Sequence, residues 1–246
     1  MARTATSVPA RILVLDIGGS HVKAVFSDRP LREIRVLSGP RMTPLRMTRD
    51  LVPKLRGETY DAVAIGYPGM VRHGRIVRDP PHLGKGWVGF DFEQVFRRPT
   101  RIVNDAAMQA LGSYEGGHML FLGLGTGLGA AMIVSGTLQP MELGHLPYRK
   151  GRTFEEYVGE VARERLGGKK WRKEVVAVVD ILRDALEPDY IVLGGGNVRR
   201  LDRLPPGARR GDNRNAFRGG VRLWQGLPRS KPRTTPRGRR RTKRSK

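Results

Sequence analysis

Two short apolar runs in this chain end on a carboxylate. Residues 12 to 15, Ile-Leu-Val-Leu, run into Asp16, Ile17 and the pair Gly18-Gly19; "TRIVND", residues 100 to 105, ends on Asn104-Asp105. A glycine turn at a strand end gathers backbone amides into a concavity that attracts anions, and lets the main chain come close to a phosphate. Asp16 cannot bind phosphate itself. It could hold Mg²⁺, usually through water, and so screen a phosphoryl group in transfer. The same Asp-x-Gly-Gly pattern also makes an ordinary hairpin turn. A second glycine turn, "GLGTGLG" at residues 123 to 129, carries the hydroxyl of Thr126 at its tip. Two such turns could grip a phosphate chain from both sides. They match neither the Walker loop nor the dinucleotide fingerprint, because a strand rather than a helix follows. A carboxylate placed like Asp105 could accept the proton of a hydroxyl nucleophile; on spacing alone, Asn104-Asp105 reads as a helix N-cap.

The elements that must position these groups follow from the pattern of apolar residues. "RILVLD", "HVKAVF" and "REIRVLS" are three closely spaced strands, a meander rather than a βαβ unit. A helix is expected from Pro44 to Leu55, a strand in "DAVAIGYPG", a helix from Phe92 to Arg97, a strand in "TRIVND" and a helix in "AAMQALGSYEG". From His118 the pattern restarts: "MLFLGLGTGLGAAMIVSG" is strand, glycine turn, strand. "PMELGHLPYRKG" reads as loop, "TFEEYVGEVARERLG" and "WRKEVVAVVDILRDALEP" as two helices, and "DYIVLGGGNV" as a strand running into a triple glycine. The echo between the halves points to two lobes of related architecture facing one cleft.

Composition narrows the classes. With 246 residues, 39% hydrophobic and 28% charged, the chain can bury a sizeable core. No apolar run approaches the ~20 residues of a membrane-spanning helix, and the N-terminus lacks the apolar centre of a signal peptide. Cysteine is absent, which removes disulfides and thiolate metal sites and is compatible with a reducing, cytoplasmic setting. The net charge is +23. Ten basic and no acidic residues lie between Pro228 and Lys246, so the remainder is still basic at +13. Residues 227–246 are expected to be a disordered basic tail, either solvated or tethering a polyanion.

Taken together, "LVLDIGGSHVKAVF", "GYPGMV", "VNDAAMQALG", "GLGTGLGAAM", "ELGH" and "IVLGGGN" occur in the order found in the ROK sugar kinases, and the chain resembles most the polyphosphate glucokinase branch. The resemblance covers roughly residues 10 to 205. It implies an α/β, two-lobed actin-like (ribonuclease H-like) fold with an interlobe active-site cleft, a first lobe over 1–104 and a second over 105–226, whose closing helix, beginning in "NRNAFRGG", returns toward the first lobe. It further implies that Asp105 is the catalytic base on a sugar's primary hydroxyl, and that Asn104, Glu142, His145 and Glu155 contact the sugar. Asp16, Gly18, Gly19, Ser20, Lys23, Gly125, Thr126 and Gly127 match the donor-binding turns, and Gly194, Gly195 and Gly196 match the segment that flanks a bound nucleotide.

Two departures stand out. The broader family carries a cysteine cluster for zinc after "ELGH", where this chain reads "LPYRKGRT"; a site without thiolates cannot be that zinc site, and the polyphosphate branch also lacks it. Ser20 replaces a threonine common in relatives, keeping the hydroxyl. Polyphosphate has no base to recognise, so a cationic track should replace a nucleobase pocket; Lys85, Arg149, Lys150, Lys169, Lys170, Arg172 and Lys173 are candidates, and each reads equally as a solvated surface charge. Trp87 is expected to pack rather than stack on a sugar. The expectation is a cytoplasmic, homodimeric glucokinase using Mg²⁺ and polyphosphate, with ATP as a further donor. Its rivals are an ATP-dependent kinase of another hexose or amino sugar, and a nucleic-acid- or polyanion-binding protein. Repressors of the family carry an N-terminal helix-turn-helix, for which the residues before the first strand leave no room.

Overall fold

The computed structural model describes residues 8–227. The expected tail, from Pro228 onward, lies outside them. The chain opens with an antiparallel meander of β1 (Ile12–Ile17), β2 (His21–Phe26) and β3 (Ile34–Leu37). Helix α1 (Pro44–Leu51) crosses to β4 (Ala62–Tyr67), which lies parallel to β1. A small hairpin of β5 (Val71–Arg72) and β6 (Arg75–Ile76), then α2 (Phe92–Phe96), leads to β7 (Thr100–Asn104), parallel to β4. The sheet order is β3-β2-β1-β4-β7.

The second half repeats this plan. Strands β8 (His118–Leu124), β9 (Leu128–Val134) and β10 (Thr137–Met141) form another antiparallel meander. Helices α4 (Glu155–Val158) and α5 (Glu160–Leu186) cross to β11 (Tyr190–Gly194), parallel to β8, and β12 (Ala208–Arg210) adds beyond it. The order β10-β9-β8-β11-β12 is that of the first sheet.

Each sheet's last strand feeds a helix that packs on the other sheet. After β7 comes α3 (Asp105–Ser113), whose Ala107, Ala110 and Leu111 are buried with Met119, Phe121 and Ile133 of the second sheet. After β12 comes α6 (Asn215–Gln225), whose Ala216 and Phe217 are buried with Ile12, Val14 and Ala64 of the first. The outer faces are covered separately: Met47 and Leu51 of α1 with Trp87 and Phe92 on the first sheet, Trp171, Val175, Val178 and Leu182 of α5 on the second. Each such side chain gains roughly 1.5–3 kcal/mol on leaving water.

Four elements depart from the sequence reading. Pro53 ends the α-helix early, and residues Val52–Leu55 tighten into a 3₁₀ turn. The segment read as loop from Pro140 starts inside β10, an edge strand, where a proline's missing N–H costs no ladder bond. The helix read over "TFEEYVGEVARERLG" is split at Gly159 into α4 and the start of α5, while Gly167, whose φ of 73° breaks the helical path, parts the two helices as read. The short β12, rich in arginine, carries no alternating apolar pattern and was not expected as a strand.

Candidate active site

The two glycine turns occupy equivalent places, between the first and second strands of each sheet. In the second turn the carbonyls of residues 125 to 127 are all engaged. Gly125 O accepts from the Asn197 carboxamide (3.2 Å), Thr126 O from the Glu160 amide (3.2 Å) and Gly127 O from the Gly125 amide (3.1 Å). Leu128 N donates to Glu155 Oε2 at 3.0 Å. The amides of Thr126 and Gly127 have no acceptor among the described residues, and Thr126 is exposed. The tip therefore offers an approaching anion two unengaged donors, with the Glu155 carboxylate close beside Gly127. In the first turn Gly18 N is tied to His21 O (3.0 Å), while Gly19 and Ser20 stand exposed. Lys23 lies on β2 directly opposite Asp16.

Asn104 is the N-cap of α3. Its carboxamide oxygen accepts from Ala106 N (2.9 Å) and Ala107 N (3.2 Å), and its nitrogen donates to Gly69 O (3.1 Å). The N-cap reading and the sugar-contact reading thus compete for one side chain: the oxygen is taken, and one amide proton remains free. Asp105 is the first residue of α3, with Oδ1 accepting from Ala106 N at 2.8 Å. The residue is half-buried. Burial, then the like charges of Asp16 and Glu142, push it up to about 7, against the pull of its backbone hydrogen bonds. Asp16, also half-buried, rises to about 6, chiefly by burial, with Lys23 opposing and Glu33 adding to the rise. Three acids from three separate segments thus share one field.

The "ELGH" segment forms a short 3₁₀ turn, Leu143–His145, with Glu142 and His145 exposed at its ends. Its Gly144 is buried; a Cβ there would stand 2.8 Å from Leu128 O and 3.4 Å from the Glu155 Cβ. Glu155, at the start of α4, presses its carboxylate on Gly127 so closely that any side chain there would overlap it. Gly144 and Glu155 are therefore packed directly against the second phosphate turn.

Behind that turn lie Gly194, buried, and Gly195 and Gly196, more open. Gly195, at φ 83°, sits where a Cβ would strike the carbonyl of Leu124, so only glycine fits. Sequence reasoning missed Asn197 and Glu160. Asn197 is 8% exposed and donates to Glu160 Oε2 at 2.6 Å as well as to Gly125 O. Glu160 also pairs with Arg163 (2.5 Å), and those hydrogen bonds hold its carboxyl down to about 2. The signal was an asparagine directly after the triple glycine, but its partner is 37 positions away. Of the proposed cationic track, Arg149 pairs with Glu174 (3.5 Å) and lies over Tyr148, and Arg172 pairs with Asp202 (3.2 Å). Lys85, Lys150, Lys169, Lys170 and Lys173 are exposed. Trp87 is fully buried, with Nε1 donating to Gly84 O at 2.7 Å and its ring against Tyr67, so it packs and is closed to a ligand.

A paired-sheet body with two glycine hairpins and a carboxylate at a helix start defines a class, and comparison with known proteins agrees. Residues 12–155 match the model of the ROK family, and the chain belongs to that family. A polyphosphate glucokinase of Mycobacterium tuberculosis is 30% identical over 213 residues, 78% of this chain and 80% of that protein. Among solved structures, the inorganic polyphosphate/ATP-glucomannokinase of Arthrobacter sp. strain KM superposes with a TM-score of 0.76 at 26% identity, over 88% of this chain and 98% of that one. A ROK family glucokinase of Streptomyces griseus, 18% identical, gives 0.71 over 88% and 99%. The fold is the two-lobed, actin-like fold of these kinases. Among the described residues no helix is long and apolar enough to cross a membrane.

Proposed function

We propose that this protein is a glucokinase that transfers the terminal phosphoryl group of inorganic polyphosphate, and also of ATP, to the 6-hydroxyl of glucose, yielding glucose 6-phosphate. The observation that carries this reading is Asp105: a half-buried carboxyl at the start of α3, raised to about 7 and sharing a field with Asp16 and Glu142. A base with a raised pKa takes a hydroxyl proton more readily near neutral pH than an ordinary carboxylate. In this mechanism the sugar is held by Glu142, His145, Glu155 and the free amide proton of Asn104. Asp105 accepts the proton as the oxygen attacks the phosphorus, and the free amides of Thr126 and Gly127 carry charge on the donor oxygens. Closure of the lobes would exclude water, the competing acceptor.

Mg²⁺ fits this site in one manner only. Among the described residues no group of three or more His, Cys, Asp or Glu side chains could cage a metal. Asp16 offers a single carboxylate with no hydrogen-bond partner among the described residues, beside Gly18-Gly19. Mg²⁺ keeps most of its water and is commonly bound by one or two carboxylates plus substrate phosphates, so Asp16 would hold it with the donor present. When bound, the ion supplies charge neutralisation on the phosphoryl oxygens. The names and coverage of the Mycobacterium and Arthrobacter relatives support polyphosphate as donor and leave mannose a second acceptor to test. The lack of cysteine is compatible with a cytoplasmic enzyme, and we propose a homodimer by analogy with the family.

A coupled assay with polyphosphate and ATP as donors, on glucose, mannose and an amino sugar, tests this directly. Turnover with polyphosphate and glucose is expected. Turnover with ATP alone on another sugar would replace the assignment, and no transfer to any sugar would leave a polyanion-binding protein.

A further inference from the structure

His145 and Glu155 are joined by a short finger of chain, residues 146 to 154. Its two arms meet at a bridge between Pro147 and Thr153. Phe154 N donates to Leu146 O (3.0 Å) and closes the base; Tyr148 N donates to Arg152 O (2.8 Å) and Arg152 N to Arg149 O (3.0 Å) toward the tip. The base bond stands one residue inside His145 and Glu155, so the finger spaces these two along the backbone. Glu155 is also fixed locally. Thr153 N donates to Glu156 Oε2 (2.8 Å) and Glu156 N to Thr153 Oγ1 (3.4 Å), the reciprocal pair of a capping box, and Glu155 itself accepts from Leu128 N. His145 has no such fixture: its side chain is exposed and makes no hydrogen bond among the described residues. Between it and Tyr148 lie only Leu146 and Pro147, whose ring locks one dihedral.

Tyr148 anchors the finger to the body. Its ring centroid lies 5.1 Å from those of Phe154 and of Tyr157, tilted to the first and edge-on to the second, both of them buried. Its hydroxyl donates to Glu174 Oε2 at 3.1 Å, on the part of α5 beyond Gly167. A hydrogen bond to a carboxylate largely shielded from water is of the stronger kind. Arg149 reaches the same oxygen at 3.5 Å and lies over the Tyr148 ring, but its side chain is more than half exposed and adds little. Burial, then the bond to Glu174, holds the phenol above its ordinary value, so it stays a donor through the neutral range. One turn earlier on α5, Trp171 Nε1 donates to Val158 O (2.8 Å) at the end of α4. The same stretch of α5 thus grips the finger at Tyr148 and α4 at Val158.

We propose that Tyr148 is a positioning residue for the sugar: pinned to Glu174, it fixes the finger against α5 and so holds His145 at a set distance from Glu155. The inference rests on the sugar-binding reading of His145 and Glu155 and adds the part that sets their spacing. Neither Tyr148 nor Glu174 touches the substrate. Without the phenol bond the finger pivots on its base, His145 drifts, and fewer groups meet the sugar at once. The second glycine turn keeps its place, because Glu155 is tied to it by bonds of its own.

The test is calorimetric binding of glucose to the full-length protein, with thermal melts and steady-state kinetics on glucose using ATP and long-chain polyphosphate. It compares the wild type with Tyr148→Phe, Glu174→Ala, Glu174→Gln and the double variant Tyr148→Phe/Glu174→Ala. Tyr148→Phe keeps the ring in its aromatic seat and removes only the hydroxyl; Glu174→Gln keeps an acceptor for it. Loss of the bond weakens glucose binding and raises the glucose KM about five- to tenfold in Tyr148→Phe and in Glu174→Ala. The double variant is no worse than the worse single one, and Glu174→Gln recovers most of the affinity. The donor KM and the saturated kcat stay within about twofold, which also shows that the variants fold. Glucose binding that ignores these changes, single effects that multiply in the double variant, or glucose and donor KM values that shift together overturn the positioning role and leave the kinase reading in place. Unfolding of both single variants at assay temperature assigns Tyr148 to the fold alone and overturns it too. A wild type that neither binds glucose nor phosphorylates it overturns both readings.

Discussion

Gly112 of α3 and Gly219 of α6 face each other where the two helices cross. A Cβ on Gly112 would overlap the carbonyl of Asn215, and one on Gly219 the carbonyl of Met108. Backbone thus rests on backbone, and Arg222 locks the crossing by donating to the carbonyls of Leu111 (2.6 Å), Gly112 (3.1 Å) and Tyr114 (2.9 Å) at the end of α3. Because α3 begins with Asp105, the crossing also sets where the proposed base stands. Gly112→Ala and Gly219→Ala are each expected to cost about 1–3 kcal/mol or more, as overpacked cores do. Gly168→Ala, at a helical glycine whose added methyl meets only the flexible end of Arg172, should be neutral or gain up to ~1 kcal/mol. Urea unfolding of the three variants checks the contrast; equal effects would refute the crossing as a tight contact.

Asp105→Asn should reduce turnover by about 10²–10⁴-fold, the usual share of a general base, with glucose binding largely retained. The same change should stabilise the protein. The Asp105 carboxyl rises from its ordinary 3.8 to about 7 in the folded state, so the native protein holds that proton more tightly than the unfolded chain. Native stability therefore falls as pH climbs from about 4 through about 7, and the full penalty applies above that. Thermal melts should place the Asn variant above wild type at pH 8, by roughly 1–3 kcal/mol, with the gap closing toward pH 4. A constant gap across pH would show that the carboxyl is not strained in this way.

Activity of the wild type should carry an acid limb. For kcat/KM, which reports the free enzyme, turnover should rise with pH through about 7 as Asp105 loses its proton. The neighbouring Asp16, near 6, broadens the lower part of that limb. An acid limb confined to pH 4 would refute Asp105 as the base.

Glu155 links the second turn to the sugar side through its bond to Leu128 N. Glu155→Ala frees that amide and is expected to raise the KM for glucose and for the donor together. Glu155→Gln can still accept from Leu128 N through its carbonyl oxygen, so it should spare the donor KM more than the glucose KM. A glucose effect alone in both variants would argue that the link to the turn carries no weight.

Removing divalent metal with EDTA should abolish transfer yet leave the melting temperature of the donor-free protein unchanged, since Asp16 alone supplies no cage. Loss of stability on chelation would indicate a structural metal instead.

Much of this was legible from the sequence because strands advertise themselves by period and glycine turns by composition. β1, β2, β8 and β9 fall where the apolar runs stood, and the turns between them bear the expected residues. Asp105 and Asp16 could be singled out because each ends an apolar run. What escaped depends on partners far apart along the chain. Asn197 finds Glu160, and Leu128 finds Glu155, only once α4 and the start of α5 lie beside the second turn. β12 escaped for another reason: three residues reading Ala-Arg-Arg have no periodicity to detect, and their strand character comes from docking on β11.

The shared plan of the two sheets has an uneven residue at its centre. On the first, Asp16 pairs across the hairpin with Lys23; at the equivalent rungs of the second, Gly123 pairs with Gly129. One bend thus has its charges on the strand rung itself, whereas the other has glycine there and borrows the carboxylate of Glu155, which reaches in from α4 against Gly127.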